Sequence, residues 1–167
     1  LHGDDRGYFI ETFRQDLLEK AIGYKVNFVQ DNESKSLKGV LRGLHYQLPP
    51  YTQAKLVRVI EGSVLDVAVD IRKSSPTFGQ HVSLELTAEN KHQLFIPRGF
   101  AHGFVVLSDS ATFAYKVDNY YAPEHDRGIT FDDKQLKINW RLSAEVLQLS
   151  DKDKSYPSLA HAKDLLE

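Results

Sequence analysis

A histidine and an arginine stand inside the apolar stretch Gly39-Val40-Leu41-Arg42-Gly43-Leu44-His45-Tyr46-Gln47. The stretch reads as a strand, where a titratable group must find a partner or lose its charge. Lys55 opens a second strand and shares a face with Val57 and Val59, so it points the way the core does, a costly position for a lysine. Tyr115 shares an apolar face with Phe113 and Val117, and His102 follows the turn-forming run Ile96-Pro97-Arg98-Gly99-Phe100-Ala101. Each has an ordinary structural reading: a satisfied core histidine, a lysine whose stem is buried while its ammonium reaches water, a core tyrosine with one hydrogen bond. Taken together they are the parts of general acid–base chemistry: an imidazole, a phenol and a fixed cation.

Competing chemistries fare worse. The chain has no cysteine, no Gly-x-Ser-x-Gly elbow and no glycine-rich phosphate loop. Pro97-x-Gly99-x-x-His102 resembles the second motif of metal-binding cupin barrels. The first motif is broken, because Gln47 stands where the second histidine of a His-x-His pair belongs and the next glutamate is Glu61. One or two histidines fall short of the three or four ligands a protein metal site uses. The expectation is no metal and no cofactor.

Positioning these residues falls to strands. Leu65, Val67, Val69 and Ile71 alternate with Asp66 and Asp70, and Val82, Leu84 and Leu86 alternate with Ser83, Glu85 and Thr87. This period of two marks half-buried strands, with more expected over 26–32, 39–47, 92–97 and 102–107. Turn signals recur at Glu61-Gly62, Ser74-Ser75-Pro76, Asn90, Pro97 to Gly99 and Ser108 to Ser110. Many short strands imply a β-sandwich or barrel, with helices only at the periphery: Thr12 to Ile22, stopped by Gly23, and a tail helix over Ser158 to Glu167. Arg42 and His45 fall on opposite faces under strict alternation, so a bulge at Gly43 is predicted if both line one pocket. With no repeat or linker, one domain over 1–167 is expected.

Bulk properties agree. The 167 residues suffice for a sizeable core, and 41% hydrophobic with 26% charged residues is a globular composition. A net charge of -2 without a long basic run disfavours nucleic acid, although a few convergent Arg and Lys can still hold a phosphate. No apolar run approaches the roughly 20 residues of a membrane helix, so no membrane partner is expected. No signal peptide opens the chain, which makes the cytoplasm the default location. The first residue is Leu1 rather than Met, which predicts a natural start further upstream.

The segments GDDRGYFIETF at 3–13, FVQDNESKSLKGVLRGLHYQ at 28–47, AKLVRVIEGSVLDVAVDIRKSSPTFGQ at 54–80, FIPRGFAHGFVVLSD at 95–109 and FAYKVDNYYAPEHDRGI at 113–129 resemble the dTDP-4-dehydrorhamnose 3,5-epimerases, a branch of the cupin superfamily. The resemblance spans nearly the whole chain. It implies an all-β jelly-roll barrel with a few short peripheral helices, a homodimer, and a dTDP-4-keto-6-deoxyhexose substrate inverted at C3 and C5. By the same resemblance His45 is the base, Tyr115 the acid, Asp153 (with Asp151 as rival) the carboxylate that orients the base, and Lys55 and Arg42 lie near the sugar and its developing oxyanion. His102 is a further pocket residue. Arg6, Glu11, Gln30 and Asn32 match nucleotide-binding positions, the Arg-Gly-x-Phe arm reaching the neighbouring subunit's pocket. Tyr121 is placed to stack on the base and Lys152 to approach the nucleotide. Two departures stand out: the family carries an additional N-terminal strand, and Asp126, a position for ligand contact, stands where Glu is common.

The implied chemistry is physically coherent. A C4 ketone acidifies the C–H bonds at C3 and C5, and removing either proton makes an enolate. A cation at Lys55 would meet the charge, and inversion needs proton-transfer groups on both sides of the ring. Three rivals remain: a single-centre 3- or 5-epimerase on a related nucleotide sugar, a metal-dependent cupin oxygenase, and a non-catalytic binding module.

Overall fold

The computed structural model describes residues 2–167. A short hairpin of β1 (His2–Asp4) and β2 (Gly7–Phe9) precedes α1 (Gln15–Ile22). There follow β3 (Gln30–Leu37), β4 (Leu41–Gln47), β5 (Lys55–Glu61), β6 (Ser63–Asp70), β7 (His81–Thr87), β8 (Gln93–Ile96), β9 (Phe100–Val106) and β10 (Ser110–Val117). β11 (Asp126–Gly128) and the single-turn α2 (Asp151–Lys154) complete the elements that matter below. Two antiparallel sheets face each other in a jelly roll, one ordered β3-β10-β5-β8 and the other β11-β4-β9-β6-β7.

The space between the sheets is filled by Val57, Val59, Val64, Ala68, Leu86, Phe104, Val106 and Phe113, with the Phe104 and Phe113 rings stacked 4.2 Å apart. The outer face of the five-stranded sheet carries a second core: Leu41, Leu44, Leu65, Val67, Val69 and Val105 pack under Ile129, Leu136, Trp140 and Leu159 from the chain after β11. β6 is therefore buried on both faces. The half-buried reading of 65–71 is corrected here: Asp66 is wholly buried and Asp70 nearly so. Each has partners, Asp66 meeting the His102 ring and Asp70 accepting bonds from Arg72, Ser75 and Thr77.

Other element boundaries also move. The strand expected over 26–32 starts only at Gln30. Helix α1 starts at Gln15, after an extended Arg14, and ends at Gly23 in the left-handed conformation, as its glycine predicts. The tail is not a helix beyond one 3-10 turn at Leu159–His161. Downstream of it, beside β6's exit, Leu166 forms an isolated parallel bridge with Arg72, and the Lys73 N–H donates to the Leu166 carbonyl at 2.8 Å. Among the described residues the β1–β2 hairpin pairs only with itself, and Tyr8 and Phe9 on it are 61% and 71% exposed. Lys91 is its anchor, with the ammonium 3.0 Å from the Tyr8 hydroxyl. No helix among the described residues is long and apolar enough to cross a membrane.

Candidate active site

β4 carries the first two groups, and Gly43 decides how it presents them. In the pairing with β9, Arg42 faces Phe104 but His45 faces His102, so the register slips by one residue between them. This is the predicted bulge: φ at Gly43 is 130°, and a Cβ there would lie 2.4 Å from the Gly103 Cα. Gly103 answers it from β9, where a Cβ would lie 2.8 Å from the Arg42 carbonyl oxygen. Two glycines thus let the strands approach closely, and both Arg42 and His45 turn toward the facing sheet. The Arg42 guanidinium donates to the Ser36 hydroxyl of β3 at 3.3 Å.

His45 Nε2 lies 2.5 Å from Asp153 Oδ1. The Ser150 hydroxyl donates to the other oxygen of Asp153 at 2.7 Å and caps α2 by accepting the Asp153 N–H. Burial works against the charge on Asp153, but the bonds from His45 and Ser150 outweigh it and hold its carboxyl below the usual range. Asp151 points to solvent and is 3.8 Å from Lys154, so of the two candidate carboxylates only Asp153 meets the imidazole. The Tyr156 ring packs edge-on against His45 at 5.6 Å.

The facing sheet supplies Tyr115 from β10 and Lys55 from β5. Tyr115 is paired with Asn32 on one side and Val57 on the other. Burial raises its phenol above the ordinary value, opposed by the Arg42 charge. Lost hydration pushes the Lys55 ammonium down to about 8, against the supporting charges of Asp66 and Asp126. His102 is buried with Nε2 at 2.9 Å from Asp66, and burial lowers its pKa although Asp66 opposes the shift.

A cleft of about 350 Å³ opens between the sheets. His45, Lys55, Tyr115, Gln30, Asn32, Tyr121 and Asp126 all line it. At its mouth the Tyr121 hydroxyl donates to Asp126 at 3.1 Å, and the same carboxylate holds Lys152. That bond raises the Lys152 pKa. Arg42 and His102 do not line it: Arg42 is exposed beside Ser36, and His102 is buried against Asp66. Arg6 and Glu11 lie outside this cleft: Arg6 sits at the hairpin turn bonded to Asp4, and Glu11 is 3.9 Å from Arg14. Asp66, Ser150, Gln47 and Gln53 escaped the sequence reading. Among the described residues no group of three His, Asp or Glu is arranged as a metal-ligand set.

Such a cleft has a hydrogen-bonded imidazole on one wall, a phenol on the other and an enclosed cation beside them. It suits moving protons on and off a molecule held between the sheets. Residues 1–161 match the dTDP-4-dehydrorhamnose 3,5-epimerase family. A protein of that name from Shigella flexneri is 62% identical over 92% of this chain and 83% of its own length. Its counterpart in Pseudomonas aeruginosa is 56% identical over 97% of this chain and 88% of its own. The crystal structure of a dTDP-6-deoxy-D-glucose-3,5-epimerase from Legionella pneumophila, in complex with dTDP-4-keto-L-rhamnose, superposes with a TM-score of 0.93 at 54% identity, covering 97% of this chain and 85% of that one. With fold, cleft and sequence in agreement over nearly its full length, the chain belongs to the dTDP-4-dehydrorhamnose 3,5-epimerase family.

Proposed function

We propose that this protein converts dTDP-4-dehydro-6-deoxyglucose to dTDP-4-dehydrorhamnose by inverting C3 and C5 through an enolate, using its own side chains without metal or cofactor. The observation that carries the reading is the position of His45 and Tyr115 on opposite sheets lining one cleft with Lys55. His45 takes the proton. Asp153 fixes the ring and stabilises the imidazolium that forms. As the proton leaves, negative charge grows on the C4 oxygen, where Lys55 meets it. Tyr115 returns a proton from the other face. Its raised pKa keeps the phenol protonated until it is needed.

Gln30, Asn32, Arg42, His102, Tyr121, Asp126 and Lys152 are assigned to holding the sugar nucleotide, with the Tyr121 ring against the base. Arg6 and Glu11 serve the site of a second copy in a homodimer, a reading supported by their distance from their own cleft and by the hairpin's exposed Tyr8 and Phe9. The whole chain acts as one domain, because the segment after β11 both covers the five-stranded sheet and delivers Asp153. A cytoplasmic location belongs to the same proposal: the substrate carries a charged diphosphate, which a lipid bilayer does not admit unaided.

The test is proton NMR of the purified protein with dTDP-4-dehydro-6-deoxyglucose in deuterium oxide. Deuterium enters at both C3 and C5 if the reading holds. Label at one centre alone would reduce the activity to a single epimerisation, and label at neither would remove the proposal.

A further inference from the structure

We propose that Gln47 is a positioning residue for nucleotide recognition, its amide gripping the backbone on both sides of Tyr121 and setting that ring at the mouth of the cleft. Gln47 ends β4, two residues after His45, and is only 4% exposed. Its Nε2 donates to the Tyr51 carbonyl at 2.7 Å and to the Tyr120 carbonyl at 3.1 Å. Its Oε1 accepts the Ala122 N–H at 2.7 Å. Both donors of the amide are used, and its oxygen holds the third bond. Among the described residues no other group bonds to the Tyr120 carbonyl or the Ala122 N–H.

Tyr121 lies between those two backbone groups. Its side chain is largely exposed, so neighbouring packing does little to hold the ring. Its orientation comes from the backbone that Gln47 holds and from its hydroxyl bond to Asp126, which is itself the β11 register partner of Gln47. One side chain therefore ties the chain before β5, the chain after β10 and the end of the strand that bears His45. Glutamine suits the place and glutamate does not. A carboxylate could still accept from Ala122 but would set negative charge against two carbonyl oxygens.

The inference rests on the reading that Tyr121 stacks on the nucleotide base, and the experiment separates the two. dTDP affinity by titration calorimetry, with KM and kcat on dTDP-4-dehydro-6-deoxyglucose, is compared for the wild type, Gln47→Glu, Tyr121→Ala and the double variant. We expect Gln47→Glu to weaken dTDP binding and raise KM by about tenfold, the scale of a lost base–aromatic stack, with kcat within about twofold. In the Tyr121→Ala background the same change costs no more than about twofold. Full affinity in Gln47→Glu alongside a loss in Tyr121→Ala overturns the role of Gln47 and leaves the stacking intact. Full affinity in Tyr121→Ala removes the stacking and this inference with it. Equal losses in both backgrounds also overturn it, since Gln47 would then act elsewhere in the cleft. Hydrogen exchange on the wild type adds a measurement that needs no variant: the Ala122 N–H exchanges at least about tenfold more slowly than the Tyr121 N–H, and comparable rates count against the grip.

Discussion

Lys55 is a cation kept where hydration is poor, and that sets a pH limit on the reaction. The ammonium form is the one that can meet an oxyanion. With its pKa pushed down to about 8, that form dominates below pH 8 and is lost as pH rises through it. The rate constant kcat/KM, which reports the free enzyme, is expected to fall about tenfold per pH unit on the alkaline side. Tyr115 does not produce this limb, because its phenol is raised above the ordinary value and stays protonated over the same range. Lys55→Met should flatten the limb and lower kcat by roughly a hundredfold to a thousandfold, as loss of one oxyanion donor does elsewhere; a pH–rate profile of both proteins checks it. Lys55 and Tyr115 were legible as residues because their inward faces follow from alternation, and His45 because a titratable ring inside an apolar strand needs a partner. Asp66 was not: a carboxylate between Leu65 and Val67 reads as solvent-facing until a second covered face is known. Between Asp151 and Asp153, spacing alone left the choice open. The Ser150 cap decides it by turning Asp153 inward.

Among the elements, β4 depends on a single residue without a side chain. Gly43→Ala would place a methyl 2.4 Å from the Gly103 Cα and force a non-glycine residue into φ 130°. Overpacking and backbone strain together suggest a loss of about 3 kcal/mol, read as a lower denaturant midpoint. Activity should fall further than stability, since the bulge is what turns Arg42 and His45 to one side. That bulge could be inferred from the sequence, because two functional candidates three residues apart with glycine between them cannot share a face of a regular strand. The end of the chain was less readable. Apolar residues over 158–167 suggested a helix, but Leu166 instead bonds beside Arg72 and Lys73, and sequence spacing does not reveal a distant strand end.

For the whole molecule, strand number and turn spacing pointed to a β-sandwich or barrel and the family resemblance to a jelly roll, while the second core was hidden. Nothing in the alternation of β6 tells that its polar face is enclosed and its apolar face roofed by the chain after β11. The hairpin arm makes the largest prediction at this scale. If it completes a neighbour's site, Arg6→Ala and His45→Ala are each impaired, yet mixing them with subunit exchange restores about a quarter of wild-type activity: half the dimers are mixed, and one site in each has an intact arm and base. An activity assay on the mixed proteins checks this, with ultracentrifugation to report the dimer. The roof over the five-stranded sheet has its own implication. Because Asp153 arrives on that segment, the imidazole has its carboxylate only where the covering chain packs on the sheet. Turnover therefore reports whether that covering stretch lies in place over the sheet.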